Sequence, residues 1–252
     1  MNLVVAFGAD AWREVAAPSM APTSLAPFSE VVGADGHRAP ATQHDAWLWI
    51  SGSEPDVTFD HARAATSAIA DVAVLAAEQA GFTYHEGRDE TGFVDGTANP
   101  PVRRAADVAL VPMGQPGEAG SHVLAMRWVH DLDAFHRLPI DGQERVIGRT
   151  KIESIELPDE DKPPDAHIAR VELGDDFEIF RRSVPYGTVG EHGLYFVAFS
   201  ADPSRYQRML ARMFGVDGQR DRLTDFSTPV SGGYYFAPSN AALRELAGPE
   251  ED

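Results

Sequence analysis

The segment Arg88-Asp89-Glu90-Thr91-Gly92-Phe93-Val94-Asp95-Gly96-Thr97-Ala98-Asn99-Pro100 concentrates the residue types that do chemistry. Two glycines flank one acid, and Asn-Pro closes the stretch. Glycine tolerates backbone angles that other residues avoid, so Asp95 is expected on an unusual turn. A carboxylate fixed there, beside apolar Phe93 and Val94, is placed to carry a proton. A lone Asp-Gly is otherwise a common solvated turn.

The elements that must hold this loop can be read on both sides of it. Residues 3–7 form a short apolar run ending at Gly8, a buried strand. Residues 17–40 are rich in Pro, Gly, Ser and Ala and read as loop. Residues 46–50 give a second strand, and 82–84 a third. Alanine-rich residues 56–80 read as a helix, with Asp56 as N-cap and Gly81 as its stop. After the loop, residues 123–129, 166–171, 177–181, 194–199 and 233–237 read as strands. Residues 131–138 and 141–151 read as short helices broken at Pro139. Asp202-Pro203 starts a helix whose apolar face is Tyr206, Met209, Leu210, Met213 and Phe214. The strand and helix order after the loop is the split ferredoxin-like pattern. The expected class is α+β: two ferredoxin-like halves with antiparallel sheets and peripheral helices. The division falls into 1–93 and 94–252, the first half lacking an opening strand and helix. Such a gap predicts exposed apolar sheet surface.

Composition narrows the function. The chain has 252 residues, 43% of them apolar, and a net charge of −18. That charge disfavours nucleic acid and anionic membrane surfaces as partners. With no cysteine, thiolate metal sites and covalent haem attachment are excluded, so any iron must be held by His, Tyr, Met or a carboxylate. No apolar run approaches the ~20 residues of a membrane span, and no signal peptide opens the chain. The default compartment is therefore the cytoplasm.

The string Gly-Phe-Val-Asp-Gly-Thr-Ala-Asn-Pro resembles the signature loop of the dye-decolourising peroxidases, a haem peroxidase family, in its bacterial B-type form. The resemblance runs from about Leu3 to Ala237. It implies haem b as cofactor, hydrogen peroxide and small organic reductants as substrates, and a homo-oligomer. Asp95 becomes the distal acid and base, with Gly96 and Thr97 beside the haem. Among nine histidines, His167 is selected as the iron ligand; alone it reads as an ordinary structural or surface histidine. Asp225 is its expected hydrogen-bond acceptor, since a ligating imidazole usually donates its other ring proton. Arg181 becomes the distal arginine, offsetting negative charge as the peroxide bond breaks. Arg149 becomes the partner of a haem propionate; alone it reads as a helix C-terminal arginine. Phe199 is expected at the cofactor.

The resemblance further implies a ferryl intermediate. Dyes too bulky to reach the haem would pass electrons through Trp128, Tyr186 or Tyr234, which otherwise read as core. Two positions depart from the family's usual pattern. Ala98 stands where many relatives have Glu, and Ser183 where many have Asn. Family members also usually carry a further strand and helix before the segment matching Leu3. Rival readings are a non-catalytic haem or porphyrin-binding protein, a chlorite dismutase-like enzyme, and a domain with no cofactor.

Overall fold

The computed structural model describes residues 1–174 and 177–248. The chain runs β1 (Asn2–Phe7), α1 (Ala9–Val15), β2 (Val31–Val32), β3 (Arg38–Ala39), β4 (Ala46–Ser51), α2 (Pro55–Ala68), α3 (Val102–Ala109), β5 (Ser121–His130), α4 (Leu132–His136), α5 (Ile140–Ile147), α6 (His167–Val171), β6 (Phe180–Arg181), β7 (Val184–Gly187), β8 (His192–Ser200), α7 (Ser204–Met213), β9 (Ser227–Pro229), β10 (Gly233–Ala237) and α8 (Asn240–Ala247). An antiparallel eight-stranded sheet carries the structure, in the order β4-β1-β10-β5-β8-β6, with β7 also on β8 and β9 on β5. β2 and β3 form a separate small hairpin. This is the expected α+β class, a mainly antiparallel sheet with helices around it.

Side-chain alternation along the central strands builds two cores. On one face, Leu124, Met126 and Trp128 of β5 and Tyr234 of β10 pack on Tyr206, Met209, Leu210, Met213 and Phe214 of α7 and its end. The intervening residues Val123 and Ala125 turn to the other face, where they meet Val197, Phe199, Tyr235 and Trp47. Burying side chains of this size contributes about 1.5–3 kcal/mol each, so β5 and β8, in register from His122↔Ser200 to Val129↔Gly193, form a rigid floor. A smaller cluster of Phe93, Phe135, Val146 and Ile147 supports the Asp95 loop from below.

Several local expectations give way. α2 stops at Ala68 rather than residue 80, and it buries no residue. Beyond it the chain finds nothing to pack on: Val72 and Val74 are 87% and 90% exposed. A helix without a packed face is marginal in water. Residues 82–84 form no strand; Phe82 N–H alone reaches across, to Pro185 O at 3.0 Å. Residues 166–171 are a helix, α6, rather than a strand. Its geometry is set by α7: Arg212 donates to the carbonyls of Ala169 and Arg170, while Arg170 donates to Arg212 O and Asp217. Of the strand expected at 177–181, only Phe180 and Arg181 pair with β8. Trp128, Tyr186 and Tyr234 are all buried, as core residues and not surface relays.

Candidate active site

The Asp95 loop is a designed irregularity. Gly92 and Gly96 both take positive φ, 89° and 75°, which a side chain resists. At Gly92 a Cβ would also lie 2.7 Å from Lys151 Cε. Arg88 ties the loop down, with Nη1 donating to the carbonyls of Gly92 and Lys151, each at 2.8 Å. Asp95 accepts Gly96 N–H at 2.7 Å through Oδ1.

Asn99 joins this loop to the strand that carries the arginine. Its Oδ1 accepts Arg181 N–H at 2.7 Å, and its Nδ2 donates to Arg181 O at 3.0 Å. Both ends of one amide thus fix the relative position of Asp95 and Arg181. The Asn-Pro at the loop's end and a strand at 177–181 are both readable in the sequence, but not that Asn99 joins them.

The two side chains line one open cleft, about 430 Å³ of space counting the solvent at its mouth, together with Phe93, Val94, Gly96, Thr97, Ala98, Ile147, Arg149, Ser154, His167, Ile168, Val171 and Glu172. Among the described residues Asp95 and Arg181 form no direct ion pair. Burial pushes the Asp95 carboxyl up from its ordinary range, opposed by the Arg181 charge and reinforced by that of Asp89. Burial also works against the Arg181 charge, while Asp95 and Glu172 support it. Arg181 Nε is buried without a hydrogen-bond partner, as are Arg149 Nε and Ser154 Oγ. Buried polar atoms are normally satisfied, so three unpaired ones on residues lining a single cleft mark a place for a polar ligand.

His167 opens α6, at the cleft's wall. Its Nδ1 lies 2.6 Å from Asp221 Oδ2, and the Asp221 side chain is fully buried. A carboxylate at that distance accepts a hydrogen bond from Nδ1–H, which keeps the proton on Nδ1 and leaves the Nε2 lone pair free. Here the structure corrects the expectation. Asp225 is not the acceptor: its Oδ1 takes Arg220 Nη2 at 2.6 Å, and its side chain is 43% exposed. Asp221 is held in place from its other oxygen, which accepts Leu223 N–H at 2.8 Å.

Arg149 follows Gly148, the left-handed C-cap of α5. Its Nη1 donates to Ser154 O at 3.1 Å, and its Nη2 pairs with Glu172 at 3.2 Å. Phe199 is placed elsewhere: it packs against Trp49, ring centroids 5.8 Å apart, in the sheet core and outside the cleft lining. Ser183 Oγ accepts Val197 N–H at 3.3 Å, so this hydroxyl braces β8. Ala98 lines the cleft without a polar atom to offer.

The cleft therefore gathers an imidazole with a free nitrogen, a buried acid, a buried guanidinium and a second arginine. That set can bind a metal and an anionic group and move a proton between them. Comparison with known proteins agrees. The family model "Dyp-type peroxidase, C-terminal" matches residues 86–242, and "Dyp-type peroxidase, N-terminal" matches 1–83. The chain is 39% identical over 246 residues to the dye-decolorizing peroxidase of Rhodococcus erythropolis, covering 94% of this chain and 71% of that protein. A dye-decolorizing peroxidase from Bacteroides thetaiotaomicron superposes with a TM-score of 0.93 at 36% identity, over 98% of this chain and 82% of that one. A variant of DypB from Rhodococcus jostii, solved in complex with heme, superposes with a TM-score of 0.90 at 38% identity, over 96% and 80%. The chain belongs to the Dyp-type peroxidase family.

Proposed function

We propose that the cleft holds haem b, with His167 Nε2 as the iron ligand, and that the protein reduces hydrogen peroxide while oxidising small organic reductants. The observation that carries this reading is the convergence of His167, Asp95 and Arg181 on one cleft. The residues fit the group. An imidazole whose Nδ1 is held by a buried carboxylate suits ferric iron. The unpaired Nε atoms of Arg149 and Arg181 and the unpaired hydroxyl of Ser154 suit anionic oxygens. Arg149 would hold a carboxylate of the group, in competition with Glu172, which it pairs with at 3.2 Å.

Bound haem supplies the two-electron redox chemistry. The chain supplies the proton transfers and the charge. Asp95 takes a proton from one oxygen of hydrogen peroxide and delivers it to the other, which departs as water. Its raised proton affinity suits both halves of that transfer, since a base that is too weak does not take the proton. Arg181 stands beside it as a fixed positive charge that offsets the charge developing as the O–O bond breaks. Asn99 keeps the two in register. Asp221 holds His167 in the tautomer that ligates.

A non-catalytic porphyrin carrier would need His167 but would have no use for a buried acid and a buried guanidinium on the same cleft. The test is the absorption and EPR spectrum of the protein reconstituted with haem. Wild type is expected to show histidine-ligated ferric haem, and His167→Ala to lose it. An unchanged spectrum in His167→Ala refutes the ligand.

A further inference from the structure

One buried ionisable group near the loop has no part in the chemistry above. Asp89 sits behind the Asp95 loop with its side chain 14% exposed. Its Oδ1 accepts Thr91 N–H at 2.8 Å and Thr91 Oγ at 2.6 Å. Its backbone closes the same turn, Asp89 N–H donating to Phe93 O at 2.9 Å and Asp89 O accepting Gly92 N–H at 2.8 Å. The other carboxylate oxygen, Oδ2, lies 3.1 Å from His130 Nε2 at the end of β5. His130 Nδ1 in turn lies 2.8 Å from Ser227 Oγ in β9. His130 and Ser227 are buried.

Serine, histidine and aspartate in a row suggest a hydrolase triad, but the geometry is reversed. In a triad the serine meets Nε2 and the acid meets Nδ1. Here the acid holds Nε2, and Ser227 is 4% exposed, out of reach of a substrate. The chain works as a tether. A neutral ring satisfies every atom in it: Nε2–H donates to Asp89, and Ser227 O–H donates to Nδ1.

We propose that Asp89 is a positioning residue for Asp95: the buried chain Asp89–His130–Ser227 anchors the loop that presents the Asp95 carboxylate to the floor of the sheet, and places a fixed negative charge behind it. This rests on Asp95 being the proton carrier. Burial works against the Asp89 charge, but the hydrogen bond and electrostatic attraction of His130, with the hydrogen bonds from Thr91, outweigh it and hold Asp89 below the ordinary carboxylate range, so it remains ionised where Asp95 works. Its charge adds to the burial that raises Asp95. The other charged groups around Asp95 are Arg181 from β6 and His167 from α6, both favouring its ionised form, with Arg149 and Glu172 further along the cleft. Around the tether itself stand Glu90 on the same loop and His192 on β8, with Arg88 and Lys151 over the loop's outer turn.

The test uses haem-loaded enzyme and the pH profile of its reaction with hydrogen peroxide. Asp89→Asn preserves the acceptor for Thr91 and can face a His130 ring whose proton has moved to Nδ1, so the loop is retained while the charge is lost. The acid limb is expected to move to lower pH. His130→Ala cuts the tether, and the peroxide rate is expected to fall about 100-fold as the acid drifts from its position. His130→Gln, whose amide can donate to Asp89 and accept from Ser227, is expected to recover most of that loss. An acid limb in Asp89→Asn that coincides with wild type overturns the proposal, as does a His130→Gln rate no better than His130→Ala. Should Asp89→Asn fail to fold, the two His130 variants decide alone. Asp95→Asn in the same series separates the two levels: if it keeps the wild-type acid limb, the limb belongs to another group and the assignment of Asp95 itself has failed.

Discussion

Replacing Asp221 by asparagine tests how the chain prepares His167. The carboxylate is fully buried, 2.6 Å from His167 Nδ1 through one oxygen and 2.8 Å from Leu223 N–H through the other. Asparagine has only one acceptor to serve both donors. If its oxygen stays on Leu223, the amide NH2 faces Nδ1, and the ring must move its proton to Nε2 or break the contact. The first outcome blocks the nitrogen that would bind iron, and the second leaves the ring without the partner that fixes its tautomer and orientation. A hydrogen bond to a charged group is worth about 1.5–3 kcal/mol, which converts to roughly 10–100-fold in affinity, the range typical for partners of metal-ligating histidines. Asp225→Ala is the control. Asp225 sits in an exposed pair with Arg220, which also pairs with Asp35 at 2.7 Å, and exposed pairs contribute about 0–1 kcal/mol. Haem titration at neutral pH, monitored by absorption, measures both variants. Asp221→Asn is expected to weaken haem binding by about 10–100-fold, and Asp225→Ala by only a few-fold. The reasoning is refuted if Asp225→Ala costs more than Asp221→Asn.

Three further expectations follow from the same cleft. Asp95→Asn should raise the melting temperature of the cofactor-free protein at pH 7. The folded-state proton affinity of Asp95 is raised, so its contribution to stability is present below the unfolded pKa and lost as pH rises through the folded one. At pH 7 the charged form is a cost, and calorimetry should show the gain shrinking toward pH 4. Glu172→Gln removes the carboxylate that competes for Arg149 and should tighten haem binding by about two- to fivefold, the equivalent of losing one half-exposed pair; weaker binding in the titration would argue against Arg149 as a carboxylate partner. Asn99→Ala removes both bonds to the Arg181 backbone and should cost about 1–3 kcal/mol in urea unfolding, together with a peroxide rate reduced by at least about tenfold as Asp95 and Arg181 lose register.

The parts of this site that were legible in the sequence are those encoded locally. Asp95 stands in a contiguous string whose glycines demand positive φ, and both Gly92 and Gly96 supply it. α7 was legible because its apolar residues recur at the helical period and Asp202-Pro203 marks its start, although Pro203 and not Asp202 is the N-cap; Asp202 accepts Ser204 N–H at 2.8 Å from one residue earlier. What failed to show is what only tertiary contact decides. Asp221 and Asp225 lie four residues apart in one irregular stretch, and nothing local says which meets His167. α6 is five residues long, too short for periodicity to speak, and α7 holds it by hydrogen bonds from Arg212. α1 was missed because its reason to exist is Trp12, which is fully buried against Phe7 and Phe236. α2 ends at Ala68, short of the helix that its alanine content predicts, because alanine favours helix whether or not there is a surface to pack against. Phe199 was assigned to the cofactor, yet the pleat of β8 turns it to the sheet core with Val197.

The account stands on an acid and a guanidinium that share one cleft with His167 and act together on peroxide. Its most direct test is stopped-flow mixing of haem-loaded protein with hydrogen peroxide, comparing wild type, Asp95→Ala and Arg181→Ala. Wild type is expected to react rapidly, and each variant to be slowed by about 100-fold or more, the scale set by losing a positioned proton carrier or a fixed charge. Wild-type rates in both variants would contradict it.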